Sequence, residues 1–467
     1  MATKRYAFWK TKVGRPFRKG TDFTTNAPKH YLTQCVQRYT PRGGGEMGCE
    51  SIPIFDFELL ATFIHIEHDG ESLDGTSTTD LVTGVFPKWI NGRSGGNKLQ
   101  ENDPEVLLRL IDEQARDYFR RAPDDYTLLS GISLENYRTP EGTLPSEKIN
   151  LSGCEIELPN TPRRRFEIPD RLANIGKGPI IQHLTETGYQ TLLARVKARS
   201  SYDAARKGEE TLDLLRAIWT LAGTYTSLAQ NIGGKPKPIG VLFLSPVAVT
   251  YAGTPGFDSQ PSGVYCEFGF TEDRDLYRPG DKWSELERLR ELYTSSLNRN
   301  PLGPAIENLL RRYVRALDHL DIDTSLFQMW SVLESLASTA DEDYSVVIKK
   351  STAIFADASR GWIRDVMSTA RANRNAYVHA AEKSSARRYL TRLVKKVVDN
   401  HLLRLIENRD GFSSLDEYKE FLGHLCLDDS TLDRRLRLLQ LIADYREEDE
   451  ANTESSKERR GDQTDAS

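Results

Sequence analysis

Apolar residues recur with a helical period through the C-terminal part of the chain. After Pro304, which suits the first turn of a helix, they follow one another at intervals of three and four residues. This stripe consists of Ile306, Leu309, Leu310, Tyr313, Val314, Leu317 and Leu320. A second helix, capped by Asp323 or Thr324, is predicted to follow. Its apolar stripe consists of Leu326, Met329, Trp330, Leu333 and Leu336.

The same period continues beyond these two helices. Further helices are predicted over about 344–356, 361–380, 385–407, 414–425 and 430–445. Short connections between long helices are typical of antiparallel neighbours, so the sequence predicts an all-α bundle over residues 282–445. We expect residues 446–467 to form a disordered tail, because alanine is their only apolar residue type.

Strand and helix patterns are mixed in the first part of the chain. "DPEVLLRLIDEQARDYFRR", with Pro104 in its first turn, predicts a helix, and a second helical stretch is predicted over about 187–230. Residues 51–66 are rich in β-branched and aromatic side chains, which is typical of strands. Residues 239–252 and 264–270 also have strand patterns, and the turn-rich residues between them indicate a β-hairpin.

The predicted fold is therefore an α+β N-terminal region over residues 1–281, followed by the all-α bundle. A further subdivision of the N-terminal region near 160–185 is left open. The chain has 467 residues, which is longer than one typical core requires.

Composition narrows the classes of protein to consider. No apolar run approaches the roughly 20 residues that a bilayer span requires, and the N-terminus lacks the apolar core of a signal peptide. We therefore expect no membrane association. The five cysteines are scattered and never form a C-x-x-C pair, which favours a reducing cytoplasm over a disulfide framework. They are Cys35, Cys49, Cys154, Cys266 and Cys426.

Charge is uneven along the chain, although the net value is only −5. The N-terminal arm, residues 1–21, is basic and contains no acidic residue before Asp22. Its basic residues are Lys4, Arg5, Lys10, Lys12, Arg15, Arg18 and Lys19, interleaved with Tyr6, Phe8, Trp9 and Phe17. Cations mixed with aromatic rings suit nucleic-acid binding. An edge strand with aromatic residues facing a core and lysines facing water explains the same pattern.

The stretch "RANRNAYVHAAE" contains polar residues that an ordinary buried helix face does not need. Asn375 and His379 are four residues apart and share a helix face. Arg374 and His379 are five apart, roughly 140° around the axis, and converge only if the helix ends or bends or the arginine folds back. A solvated helix end with an ordinary histidine is the alternative interpretation.

This motif, late in a helical bundle, resembles the signature of HEPN ribonucleases. That signature is an arginine and a histidine separated by four to six residues, often with asparagine directly after the arginine. Two long helices upstream, with the acidic Glu334 on the second, extend the likeness. The resemblance covers residues 282–445, about a third of the chain.

The resemblance implies RNA cleavage without a metal ion or cofactor, in a cleft shared by two copies of the bundle. His379 would take the proton from a ribose 2′-hydroxyl or give one to the leaving 5′-oxygen. Arg374 would bind the scissile phosphate. Asn375 would orient the histidine or bind phosphate, and Glu334 would pair with Arg374.

The resemblance also implies a biological role. In bacterial anti-phage, abortive-infection proteins of this kind, an N-terminal region detects a phage-derived trigger and the bundle then cuts tRNA or other RNA. Basic residues on and after the motif helix are expected to follow the RNA backbone. They are Arg371, Arg387, Arg388, Arg392, Lys395 and Lys396.

Two non-catalytic alternatives remain open. A HEPN-like bundle can act only as a dimerisation or nucleotide-binding module, with the motif serving as an oligomer contact. The chain can also be a nucleic-acid-binding regulator that uses the basic N-terminal arm.

Overall fold

The computed structural model describes only part of the chain. The described residues are 32, 84–86, 88–90, 92, 103–135, 148–158, 189–223, 238–254, 261–266, 276–278, 283–339, 342–380 and 387–461. The basic N-terminal arm, the strand predicted over 51–66 and the subdivision near 160–185 lie outside them.

The described residues divide into two compact units. The first takes those within Met1–Gly131, Ser146–Thr211 and Ser245–Phe270. The second takes those within Ile132–Pro145, Leu212–Leu244 and Thr271–Ser467. This division differs from the predicted boundary at 281/282, because the described residues within 212–244 group with the helices that follow.

A six-stranded sheet has the order β2-β3-β4-β1-β5-β6. Its strands are β1 (Asp124–Glu135), β2 (Lys148–Leu151), β3 (Cys154–Glu157), β4 (Tyr189–Ala198), β5 (Val247–Ala252) and β6 (Gly263–Cys266). The β2–β3, β3–β4, β1–β5 and β5–β6 pairs are antiparallel. In the hairpin, Val247 lies opposite Cys266, which confirms the hairpin prediction. β1, β2 and β3 have no counterpart among the predicted strands.

Two long helices of the described part accompany these strands in sequence. α1 (Asp103–Arg120) begins where the sequence predicts it, with Pro104 in its first turn. The second helix, α2 (Ser201–Gly223), begins only after β4, so the helix predicted from 187 is wrong over its first part. In β4, Arg195 forms ion pairs with Glu155 (2.9 Å) and Glu157 (3.2 Å) of β3. These strand contacts outweigh the helix propensity of the local sequence.

The C-terminal part consists of consecutive helices. They are α3 (Trp283–Arg299), α4 (Gly303–Leu317), α5 (Ile322–Ala337), α6 (Tyr344–Thr352), α7 (Asp357–Ala380), α8 (Arg387–Glu407), α9 (Leu415–His424) and α10 (Asp429–Gly461). The apolar stripes predicted for α4 and α5 are buried, except for Leu320. Asp321, rather than Asp323 or Thr324, caps α5, and its side chain accepts hydrogen bonds from both of their backbone N–H groups.

The second half of α2 packs with this helical part. The Trp219 indole N–H donates to the buried carboxylate of Glu287 on α3 at 2.6 Å. Its ring also lies 5.7 Å from that of Trp283, between centroids. These contacts explain why α2 contributes to the second unit, although it lies far before residue 282 in the sequence.

α10 extends through Gly461, so the tail predicted to be disordered from residue 446 is helical over most of its length. Its sequence is rich in Glu and Arg, which are good helix formers even without a buried face. Among the described helices, none has a stretch long and apolar enough to cross a membrane.

A buried histidine joins three helices of the second unit. The His401 Nε2 lies 2.9 Å from the Ser351 carbonyl oxygen, and its Nδ1 lies 2.6 Å from the Tyr418 hydroxyl. A neutral ring satisfies both contacts by donating from Nε2 and accepting at Nδ1. Burial lowers the pKa of His401 to about 4, against the raising effect of the Ser351 carbonyl.

We therefore expect acid to destabilise the protein through His401. The unfolded chain binds this proton near pH 6.5 but the folded chain only near pH 4, so stability falls as the pH drops between these values. The expected loss is about 3 kcal/mol. Urea unfolding midpoints at pH 7 and pH 4.5 measure it. His401→Gln should remove this part of the pH dependence, whereas His424→Gln should leave it intact.

Candidate functional site

α7 carries the predicted motif near its C-terminal end. The helix is continuous through Ala380, so neither a helix end nor a break separates Arg374 from His379. The two positions therefore point roughly 140° apart around the helix axis. The side chain of His379 lies outside the described part of the molecule, whereas those of Arg374 and Asn375 are described and half-buried.

Aromatic residues hold the Arg374 guanidinium. Its carbon lies 5.0 Å from the ring centroid of Tyr344 and 5.1 Å from that of Phe327. Its Nη1 donates to the Tyr344 hydroxyl at 3.0 Å and to the Asn375 side-chain oxygen at 3.2 Å. Planar guanidinium groups stack on aromatic faces in this way. Arg374 thus folds back towards α5 and α6, and Asn375 helps to orient it.

One buried Arg374 donor remains unpaired. The Nε group has no hydrogen-bond partner among the described residues. An unpaired buried donor costs about 1–3 kcal/mol. A planar guanidinium with spare donors suits an oxyanion such as a phosphate.

A second guanidinium shares the Tyr344 ring. Arg371, one turn before Arg374, lies 5.4 Å from the ring centroid and 3.8 Å from the Asp343 carboxylate. Side-chain hydrogen bonding from Ser345 and the nearby Arg371 charge lower the pKa of Asp343. Tyr344 therefore organises two cations at the end of α7, and within the described residues Arg371 is the one that forms an ion pair with a carboxylate.

Glu334 lies within electrostatic range of Arg374. Burial raises the pKa of the Glu334 carboxyl, against the lowering effects of Arg374, Trp330 and Arg312. Arg312 itself donates to the hydroxyl groups of Ser331 and Ser335. The predicted pairing of Glu334 with Arg374 is not among the described hydrogen bonds and ion pairs, although the Arg374 charge is near enough to influence the Glu334 carboxyl.

The prediction of RNA binding is wrong for two residues of α8, because their side chains lie in the core. Arg387 is 2% exposed and forms an ion pair with the buried carboxylate of Asp323. Lys395 is 6% exposed, pairs with Asp399 at 2.8 Å and lies over the Tyr313 ring. Buried cations that are neutralised inside the protein hold the bundle together and do not reach a nucleic-acid backbone.

The other three α8 cations remain accessible. Arg388 and Arg392 are partly exposed, and Lys396 is exposed. They are spaced four residues apart and so follow one side of the helix. Burial and the neighbouring Arg392 charge both lower the pKa of the Arg388 guanidinium, which indicates two cations close together. The exposed ring of Tyr389 lies beside them in sequence.

Tyr344 and Phe327 are the site residues that the sequence did not predict. Neither belongs to a recognisable motif, and Tyr344 is separated from Arg374 by 30 residues. In the sequence, Phe327 gave one weak signal, because it interrupts the polar side of an otherwise regular amphipathic helix. In the structure it remains 42% exposed.

Within the described residues, no group of three or more His, Cys, Asp or Glu side chains is placed to hold a metal ion. Comparisons of the whole chain with models of protein families, with curated proteins and with solved structures found no match.

Proposed function

We propose that the chain is a metal-independent endoribonuclease of the HEPN type, with its cleavage site at Arg374 and His379 of α7. The observation that carries this proposal is the state of Arg374. Its guanidinium is stacked between two aromatic rings and oriented by Asn375, and it retains a donor that the fold leaves unpaired. The helical region around it also agrees with the resemblance of residues 282–445.

In this proposal each residue has a separate task. Arg374 binds the scissile phosphate and stabilises the negative charge that develops on it. His379 takes the proton from the ribose 2′-hydroxyl, whose oxygen attacks phosphorus, or gives a proton to the departing 5′-oxygen. The products are a 2′,3′-cyclic phosphate and a 5′-hydroxyl. Glu334 keeps Arg374 in place by charge attraction.

The divergence of Arg374 and His379 on one continuous helix favours a shared site. A dimer in which two α7 helices face each other would place the histidine of one copy near the arginine of the other. We propose that Arg388, Arg392 and Lys396 bind the RNA backbone beside this cleft, and that Arg371 contributes at its edge. The N-terminal region would sense a phage-derived trigger. One candidate substrate of the bundle is tRNA.

A second candidate function is a non-catalytic one. The described hydrogen bonds of Arg374 go to Tyr344 and Asn375 of the same chain. A residue that only ties α7 to α6 would make such contacts in a dimerisation or RNA-binding module without chemistry.

One experiment separates the two candidates. The purified protein is incubated with total tRNA in EDTA, and the ends of the fragments are identified. We expect cyclic phosphate and 5′-hydroxyl ends, and a loss of cleavage of at least about 100-fold in His379→Ala. The matched control is His319→Ala, on the loop after α4, which should cleave normally. Cleavage that persists in His379→Ala, or none in the wild-type chain with any RNA, would support the non-catalytic candidate.

A further inference from the structure

α10 has an apolar face that remains open to solvent. Six large apolar side chains within three turns of this helix are between 46% and 74% exposed. They are Leu436, Leu438, Leu439, Leu441, Ile442 and Tyr445. A contiguous apolar surface of this kind on a folded protein indicates a binding interface.

These residues form one broad side of the helix. Leu438, Leu441, Ile442 and Tyr445 follow the three- and four-residue spacing of a single face, and Leu436 and Leu439 extend it. Gln440 and Asp444, joined by a hydrogen bond at 2.9 Å, lie on the opposite side of this stretch. The stretch therefore offers a broad apolar face to a partner.

Charge along α10 indicates which partner fits this face. Arg434, Arg435 and Arg437 lie at the start of the apolar stretch, around Leu436, and an acidic run from Glu447 to Glu450 follows the stretch. Two such helices in parallel would bring like charges together on both flanks of the stretch. Antiparallel helices instead place the basic flank of one beside the acidic flank of the other. The sequence of α10 is thus complementary to itself in the antiparallel orientation.

The positions of the charges agree with this orientation. Glu448 comes about four helical turns after Arg434 and occupies the same side of the helix. When two α10 helices are antiparallel about Leu441, Arg434 of one lies opposite Glu448 of the other. One of these cations, Arg435, also lies 3.3 Å from His424 of the same chain, so Arg434 and Arg437 are the better probes.

We propose that α10 pairs with α10 of a second copy of this chain, antiparallel and centred on Leu441. The pairing buries the apolar face of both helices and needs no residue of α7. It is therefore independent of the ribonuclease proposal, and either can hold without the other.

The apolar face is tested by Leu439→Glu, with Gln440→Glu as the matched control. The two substitutions introduce the same residue at neighbouring positions, one on the apolar side and one on the polar side. Sedimentation of the full chain at micromolar concentration should show the same self-association for the wild type and for Gln440→Glu. It should show at least tenfold weaker self-association for Leu439→Glu, whether or not α7 also forms a dimer contact. Because both positions are exposed, circular dichroism should be unchanged. A monomeric wild-type chain, or a Leu439→Glu chain that self-associates as strongly as the control, would overturn the proposal.

The antiparallel orientation is tested by charge reversal. Arg434→Glu with Arg437→Glu should weaken the dimer, because both flanks of the apolar stretch then become acidic. Glu447→Lys with Glu448→Lys should weaken it as well, because the acidic flank then becomes basic. All four substitutions together should restore it. In a parallel pair the arginine reversal would leave association unchanged, and that result would contradict the orientation.

Discussion

Replacing Arg216 by methionine should lower the free energy of unfolding by about 3–5 kcal/mol. Arg216 lies on α2, where its side chain is only 3% exposed, and it forms ion pairs with Asp213 and with Asp318, just after α4. Removing the cation leaves Asp213, itself 5% exposed at the side chain, as a buried carboxylate with less compensation. Breaking a buried pair from one side is among the most destabilising kinds of substitution.

The hydrogen bonds of Arg216 explain why the cost is large. Its Nε and Nη2 donate to Asp213 at 2.8 and 2.6 Å, and Nη1 and Nη2 donate to the two oxygens of Asp318 at 2.7 Å each. Nη1 also donates to the Leu242 carbonyl oxygen at 3.2 Å. These five bonds use all the donors that a guanidinium has. Methionine fills the space but replaces none of them.

Arg315→Met is the matched control for Arg216→Met. Arg315 also pairs with Asp213, but its side chain is 53% exposed. Water can replace that contact, so the expected loss is below about 1 kcal/mol. Urea unfolding followed by far-ultraviolet circular dichroism measures both variants. Equal losses in the two would show that burial of the Arg216 network does not determine its contribution.

The helical part was predictable because its signal is local. On α4 and α5 the apolar spacing identifies the residues that the structure buries, and Leu320 fails only because α4 ends at Leu317 before reaching it. Helix starts are less certain from sequence, since several polar residues in a row can serve as a cap. Asp321 competes with two plausible neighbours, and only the backbone conformation decides among them.

Non-local contacts explain what the sequence did not predict. The residues of β4 include good helix formers, and pairing with its neighbours β3 and β1 makes them a strand. Arg387 looked solvated because its partner Asp323 is 64 residues away in sequence. Lys395 is different, because Asp399 follows it by four residues and the pair could have been noticed. What remained hidden was the burial of both groups.

In the candidate site, too, the sequence shows the local features and does not show the contacts between distant residues. The spacing of Arg374, Asn375 and His379 is readable in the sequence, and so is an acidic residue on a preceding helix. The aromatic residues around Arg374 are not readable, because Tyr344 and Phe327 come from two other helices. They change the chemical interpretation, since a guanidinium stacked on rings has a fixed orientation that a solvated one lacks.

Substituting Arg374 should have the largest effect on RNA cleavage under the proposed function. Arg374→Ala removes the group that stabilises the phosphate charge, and we expect a loss of about 10²–10³-fold in kcat. Arg374→Lys keeps the positive charge but loses the planar fork and its stacking on Tyr344, so a loss of at least about tenfold should remain. Tyr344→Phe keeps the ring and removes only the hydroxyl acceptor, so its effect should be the smallest of the three.

Single-turnover cleavage in EDTA and thermal unfolding are measured on the same preparations. Arg364, an exposed arginine on the same helix, provides the matched control, and Arg364→Ala should retain full activity and stability. If Arg374 only ties α7 to α6, substituting it should change stability and leave RNA cleavage unchanged. Arg374→Lys and Tyr344→Phe would then lower the melting temperature by similar amounts, because both weaken the same hydrogen bond, while the folded variants would cleave RNA at the wild-type rate.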